Sequence, residues 1–298
     1  MTSSVTPAPS SNQPSPPLLQ TNKAATILSK AASEHYGIPA ICVYNIEGII
    51  ATVRAAASKH SPAMLLLFPW AQTYSASVLA RAAAEAARTA PVPITVHLDH
   101  AQSPEAVREA ADMGCYDSIM VDMSHHEHDE NLRLTGELTQ YCHERGILVE
   151  AECGRIEGGE DGVQDTADLE AVMTSPETAR EFVDTGIDWL APAFGNVHGK
   201  YGPRGIQLDL ERLGRVTEGV GETRLVLHGT DGFDDGLYGE CIRAGITKCN
   251  INRAVNEKLT GLWKKSGKGL TGVMEEGTQA MQEEIEKTMD WLGSTGKA

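Results

Sequence analysis

Eight short apolar runs, each followed by a longer amphipathic or alanine-rich stretch, constrain this chain more than any other feature. The runs are 40–45, 63–68, 94–99, 118–122, 147–152, 188–193, 224–228 and 246–250. Their length and their content of Ile, Val and Leu suit buried strands. The stretches between them, including 72–88, 103–113, 128–145, 176–185 and 234–243, carry helical patterning. Ser103-Pro104-Glu105 and Ser175-Pro176-Glu177 read as an N-cap followed by proline at the first helical position. Gly114, Gly146, Gly186 and Gly245 stand where a helix must stop before the next strand. Eight strand-then-helix units over about 260 residues predict an α/β fold, a parallel (β/α)8 TIM barrel. A doubly wound open sheet is the competing architecture, and it lacks a Gly-x-Gly-x-x-Gly after an early strand.

The barrel is expected over residues 23–298 as a single domain. Residues 1–22 are rich in Ser, Pro, Thr and Gln, and the sequence predicts a disordered tail there. Residues 252–292 read as extra C-terminal helices, interrupted at 266–272 by three closely spaced glycines.

Charge and cysteine usage narrow the function. The formal net charge is −16, from 41 acidic and 25 basic residues, which disfavours nucleic acid and anionic membrane surfaces as partners. No apolar stretch reaches the roughly 20 residues of a membrane helix. Six cysteines show no CxxC spacing, as expected for reduced thiols in a cytoplasmic protein. The N-terminus shows no signal-peptide pattern.

Barrel enzymes place their chemistry at the C-terminal ends of strands. Asn45, Asp99, His100, Asp122, Glu150, Glu152, His198, His228 and Asn250 all fall at such ends. His100, His198 and His228 offer three imidazole nitrogens, a donor set suited to zinc with positions left for substrate oxygens. Asp99 sits beside one of them as a proton shuttle. Gly199 and Gly229 let backbone approach the site and offer N–H groups to an anion. Each histidine alone would read as a structural hydrogen-bonder; together, in this register, they point to a metal. His97 is expected to pack inside the barrel or to support the site. His125-His126-Glu127-His128 also resembles a metal motif, but it follows the fourth strand near a helix start, where such histidines are common.

The segments Leu98-Asp99-His100, Val149-Glu150-Ala151-Glu152-Cys153-Gly154, Gly158-Gly159-Glu160-Asp161-Gly162, Gly195-Asn196-Val197-His198-Gly199, Leu227-His228-Gly229 and Lys248-Cys249-Asn250-Ile251-Asn252 resemble those of the class II, metal-dependent ketose-bisphosphate aldolases, in order and spacing. The resemblance covers about residues 24–260. It implies zinc held by His100, His198 and His228, with Glu152 as an alternative ligand. It implies that Asp99 moves the proton at the cleaved bond, that Glu160 handles the enediolate proton and that Asn250 orients the enediolate. Asn45, Gly199, Lys200, Gly229, Asp231, Asn252 and Arg253 are the implied substrate contacts. The implied reaction cleaves a phosphorylated sugar, D-fructose 1,6-bisphosphate as the first choice, to dihydroxyacetone phosphate and D-glyceraldehyde 3-phosphate, in glycolysis. A homodimer is implied as well.

The chemistry agrees with that implication independently. Retro-aldol cleavage leaves charge on a ketone oxygen, which a Lewis acid stabilises, and it needs a base at the neighbouring hydroxyl. Lys248, on the last strand, raises the lesser alternative of a Schiff-base enzyme.

Three positions depart from the family pattern. Asp231 stands where a hydroxyl residue is usual, Arg253 where threonine is usual, and Phe68-Pro69-Trp70 follows the second strand in place of a serine. Either Arg253 grips a phosphate or carboxylate as a fork, or it pairs with Asp231 and fills the pocket. Lys200, Arg204 and Arg155 are further candidates for anion contacts. Two alternatives therefore stand beside the bisphosphate reading. One is a lyase for a carboxylated or singly phosphorylated substrate, and the other is a non-catalytic barrel with an interaction or regulatory role.

Overall fold

The computed structural model describes residues 17–158, 173–203 and 205–298. Its strands are β1 (Ile38–Cys42), β2 (Ala63–Leu67), β3 (Ile94–Ala101), β4 (Ser118–Val121), β5 (Leu148–Glu152), β6 (Glu157–Gly158), β7 (Trp189–Ala191), β8 (Val197–His198), β9 (Arg224–Leu227) and β10 (Ile246–Ile251). All but β6 and β8 close into a parallel barrel in the order β1-β2-β3-β4-β5-β7-β9-β10, with β10 returning to β1. This is the (β/α)8 barrel expected from the eight apolar runs. β6 and β8 form a separate two-stranded parallel ladder, pairing Gly158 with His198. Two residues per strand are too few for a periodic signal, so nothing in the chain announces that ladder.

The helices are α1 (Pro17–Gln20), α2 (Lys23–Glu34), α3 (Ile46–Lys59), α4 (Pro69–Ser75), α5 (Val78–Thr89), α6 (Pro104–Met113), α7 (His128–His143), α8 (Pro176–Val183), α9 (Leu210–Gly219), α10 (Asp235–Arg243), α11 (Arg253–Lys265) and α12 (Leu270–Trp291). Ser103 and Ser175 cap α6 and α8 through their hydroxyls, with proline at the helix start, as the sequence predicts. The expected single helix over 72–88 is instead two, because Ala76 and Ser77 adopt positive φ of 46° and 72°. Neither residue favours that conformation, so nothing local announces the break.

Side chains alternate between two apolar layers, as strand geometry requires. Ile38, Ala40 and Cys42, then Met64, Leu66 and Phe68, then Met120, Trp189, Ala191 and Val226 pack together inside the barrel. The intervening residues, such as Ile41, Leu65, Val96, Ile119, Val149 and Leu225, pack against the helices. The same parity sends His97, Asp99, Glu150, Glu152, His228, Lys248 and Asn250 inward.

The expected tail boundary at residue 22 moves earlier. Leu19 is buried in the inner cluster. Asn22 caps α2, and its side-chain amide donates to the carbonyls of Asp117 (2.8 Å) and Gly146 (2.9 Å), pinning the chain across the lower end of the barrel. A single apolar residue in a Ser/Pro-rich segment leaves too weak a pattern to place that contact. Residues 1–16, the rest of the expected tail, lie outside the described residues.

Candidate metal and catalytic centre

His100 ends β3 in the left-handed region, with φ of 48°, and the β3–β4 register shifts between Leu98 and Ala101. That irregularity breaks the two-residue alternation. Asp99 and His100 are neighbours in sequence, yet both are buried at the centre of the barrel mouth. A positive φ at a non-glycine residue is a strained arrangement of the kind that clusters at functional sites. Phe68, on the loop after β2, stacks on the His100 ring at 6.2 Å between centroids. The residue that departs from the family's serine therefore packs on the site.

Three imidazoles converge. His228 Nδ1 lies 3.2 Å from His100 Nε2 and 3.3 Å from His198 Nε2. Glu152 joins them, and one ligand atom from each of the four residues lies within 4.8 Å of all the others. The outer nitrogens are taken by carboxylates. His100 Nδ1 meets Asp122 Oδ2 at 2.8 Å, and His228 Nε2 meets Glu150 Oε1 at 2.8 Å. A carboxylate on the far nitrogen holds the N–H there and leaves the inner lone pair for a metal. Glu152 Oε1 accepts from the Ile156 N–H at 2.9 Å, while its buried Oε2 has no hydrogen-bond partner. Nitrogens facing one another and an orphaned carboxylate oxygen are unfavourable by themselves. A divalent cation resolves both, so these residues fit a metal ion.

The electrostatics agree. Burial opposes charge on His100, but Asp99 and Asp122 outweigh it and lift the imidazole from 6.5 to about 10. Burial, with His100 and His228 nearby, holds His198 well below the ordinary histidine range. Burial and the neighbouring Asp122 raise the Glu152 carboxyl to about 8. Burial would raise the Asp99 carboxyl too, but His100 and His97 overcome it and keep it well below the ordinary carboxylate range.

Asp99 Oδ2 accepts from the Asn250 amide at 2.9 Å. Its Oδ1 is buried with no hydrogen-bond partner, and so is Asn250 Oδ1. An ionised carboxylate with one oxygen tethered and one free beside a metal site is arranged to take a proton.

Family comparison follows from this geometry. The family model for fructose-bisphosphate aldolase class-II matches residues 22–297. The chain belongs to the class II fructose-bisphosphate aldolase family. It is an aldolase lyase of that class, and the family is metal-dependent, so the non-catalytic alternative gives way. A Coccidioides immitis structure, provisionally named a fructose-1,6-bisphosphate aldolase, is 58% identical, with a TM-score of 0.92 over 93% of this chain and 98% of its own. A fructose-bisphosphate aldolase of Thermus caldophilus is 34% identical over 91% of this chain and 98% of its own length. The YdjI aldolase of Escherichia coli K12 is 30% identical, with a TM-score of 0.79 over 92% of this chain and 98% of its own.

The remaining expected site residues divide into three groups. Gly229 and Gly199 adopt φ of 71° and 81°. A Cβ on Gly229 would collide with the Val197 carbonyl oxygen, so this turn beneath His228 requires glycine. Asp231 and Arg253 face each other at the mouth, with Arg253 Nε 3.2 Å from Asp231 Oδ2. The contact is an ion pair without hydrogen-bond alignment. Arg253 Nη1 also lies 3.6 Å from Glu257 Oε1. Lys200 is exposed close to Asp231. Asn45 and Asn252 also make local hydrogen bonds. Asn45 Oδ1 caps α3 through the Gly48 N–H, and Asn252 Oδ1 accepts from Tyr44 Oη at 3.2 Å and from Asn256 Nδ2 at 3.2 Å.

Glu160 and Arg204 lie outside the described residues. Arg155 donates to the Ser124 carbonyl at 3.1 Å. In the second histidine motif, His128 pairs with Glu181 at 2.8 Å, and the His125 and His126 rings lie tilted against each other at 4.2 Å between centroids. Its histidines form no ligand cluster among the described residues. Lys248 is fully buried, and its ammonium lies 2.6 Å from Glu150 Oε2. A lysine held this way is not a free nucleophile, which removes the Schiff-base alternative. Asp122 and Glu150, expected only as strand-end polar groups, hold His100 and His228, and Lys248 holds Glu150 in turn. These supporting contacts were not assigned from the sequence, although inward strand register was the signal that could have added the three residues.

Proposed function

We propose that this chain is a zinc-dependent aldolase that cleaves a ketose bisphosphate, with D-fructose 1,6-bisphosphate the first choice, to dihydroxyacetone phosphate and D-glyceraldehyde 3-phosphate. The observation that carries this reading is the free, buried Asp99 Oδ1 beside three converging imidazoles. His100, His198 and His228 hold the metal, with Glu152 as a further donor. Bound there, zinc acts as a Lewis acid toward the negative charge that develops on the ketone oxygen. Asp99 Oδ1 takes the proton from the hydroxyl on the carbon that becomes the aldehyde. Asn250 fixes Asp99 through its amide and directs its own free carbonyl oxygen at the ketone fragment. Glu160 returns a proton to the carbon left by the departing aldehyde. Backbone N–H groups near Gly199 and Gly229, with Lys200, Asn252 and Arg253, receive the phosphate end, and Asn45 faces the substrate from the loop between β1 and α3. The test is coupled detection of triose phosphate from fructose 1,6-bisphosphate with zinc-loaded protein. Turnover is expected, and chelator and Asp99→Ala are both expected to abolish it. A zinc-loaded protein inert toward every ketose phosphate overturns the reading.

One observation favours a second reading. The Arg253 guanidinium is already engaged by Asp231 and Glu257, and carboxylates at the mouth repel a doubly charged phosphate. This supports a substrate with a less charged end, either carboxylated or singly phosphorylated. A panel in which fructose 1,6-bisphosphate is by far the best substrate excludes it.

The reading includes a homodimer in the cytoplasm. Exposed Ile46, Ile50, Tyr74, Val78 and Met274 line one groove between α3, α4, α5 and α12, an apolar surface suited to a second copy. Among the described residues, no helix is long and apolar enough to cross a membrane. Sedimentation equilibrium measures the subunit count, and a monomer at micromolar concentration overturns the dimer.

A further inference from the structure

We propose that Lys248, two residues along β10 from Asn250 and out of reach of any substrate, is a positioning residue that sets metal affinity by aiming Glu150 at His228. The inference rests on the metal-dependent reading above. Lys248 Nζ is fully buried, and its hydrogen bond goes to Glu150 Oε2 at 2.6 Å. The same carboxylate uses Oε1 to accept from His228 Nε2 at 2.8 Å. The other nitrogen of His228, Nδ1, is the atom facing His100 Nε2 and His198 Nε2. Three side chains thus run in series: an ammonium fixes one carboxylate oxygen, the second oxygen fixes an imidazole proton, and the opposite lone pair points at the metal position.

The chain has a definite polarity. Glu150 has two equivalent oxygens, both acceptors, so it can satisfy Lys248 and His228 at once. An amide in its place cannot. Lys248 has only donors and would claim the amide oxygen, turning the amide NH2 toward His228 Nε2. His228 must then accept at Nε2, its proton moves to Nδ1, and the lone pair aimed at the metal is lost. Without Lys248 the amide is free to present its oxygen to His228 and restore the original tautomer. The surroundings offer Glu150 little else. His97 Nε2 stands 3.7 Å away, beyond hydrogen-bond range, and Trp189 lies 5.9 Å from the lysine nitrogen. Removing Lys248 alone leaves a carboxylate buried without its counter-charge, which frees its orientation.

The two substitutions are therefore expected to suppress one another. Zinc affinity is measured by competition with a chromophoric chelator on wild type, Lys248→Met, Glu150→Gln and the double variant. The His228 tautomer in the metal-free proteins is read by 15N chemical shifts. Glu150→Gln alone is expected to weaken zinc about 10- to 100-fold, the range found when an outer partner of a metal ligand is lost, and to move the His228 proton to Nδ1. The double variant is expected to regain at least half of that loss on a logarithmic scale, with the proton back on Nε2. If Lys248→Met does not fold, the comparison of Glu150→Gln with the double variant still decides. A double variant as weak as Glu150→Gln, or a Glu150→Gln protein with zinc affinity within twofold of wild type, overturns the inference. Absence of zinc binding by the wild-type protein would instead sink the metal-dependent reading itself, so the two failures are distinguishable.

Discussion

The histidine cluster and the Asp231–Arg253 mouth lie a few residues apart along the same strands, yet they are built differently. In the cluster the outer contacts of His100 and His228 to carboxylates are short and buried, His100 to Asp122 and His228 to Glu150 at 2.8 Å each, and Lys248 holds Glu150 in turn at 2.6 Å. At the mouth Arg253 and Asp231 are partly exposed, 3.2 Å apart and not aligned for a hydrogen bond. Buried charges paired this way have one arrangement available, because any other leaves a charge without a partner. Half-exposed ion pairs are worth little and exchange partners readily with water or a ligand. Under the proposed function, this difference puts bond chemistry in the interior and substrate choice at the mouth.

Metal removal has the largest expected effect. Exhaustive chelation should abolish turnover on every substrate, with zinc restoring it. Loading zinc to 100 times its dissociation constant should stabilise the fold by about 2.7 kcal/mol, read as a rise in Tm. Next is Asp99→Ala, expected to lower kcat by ~10²–10⁴ with zinc content unchanged and the ranking of substrates preserved. A change in ranking would break the division between interior and mouth. Arg253→Ala tests the other half. It should raise KM for anionic substrates by roughly tenfold to a hundredfold, the scale of one charge-assisted contact, and leave kcat nearly unchanged. An equal loss in kcat for all substrates would place Arg253 with the chemistry instead.

Two smaller effects sharpen the picture. Gly229→Ala drives a methyl group into the Val197 carbonyl at a positive φ and should destabilise by about 1–3 kcal/mol in urea titrations. The last concerns pH in the metal-free protein. Despite burial, Asp99 and Asp122 raise His100 from 6.5 to about 10, so the fold holds a proton that the unfolded chain releases. That stabilisation is complete below pH 6.5 and is lost as pH rises toward 10. Metal-free melts should therefore fall in Tm across that window. The zinc-loaded protein, with His100 occupied, should show a smaller fall, and equal slopes would count against His100 as a ligand.

Much of this was legible along the chain. Eight apolar runs announced the barrel, and each of His100, His198 and His228 stood at or just past the end of a strand. Glu150 and Lys248 were named as strand residues, but nothing local could show that they touch. Asp99 and His100 were both expected at the site, but the backbone geometry that lets them share it was hidden for a different reason. Adjacent residues in a regular strand point apart, and only the positive φ at His100 brings both into the site. The break between α4 and α5, and the buried Leu19 before the expected boundary, likewise carry no local marker.

Local patterning determined the fold class and the candidate donor residues, because periodicity and donor chemistry are written residue by residue, and the motif resemblance supplied the reaction class. The tertiary structure decided the pairings. Lys248 became a buried partner of Glu150 and not a nucleophile, Asn45 and Asn252 became a cap and a hydrogen-bond hub, and Arg253 met Asp231. Which charge neutralises which depends on distances between strands far apart in sequence, such as the 98 residues between Glu150 and Lys248, and no local pattern encodes them.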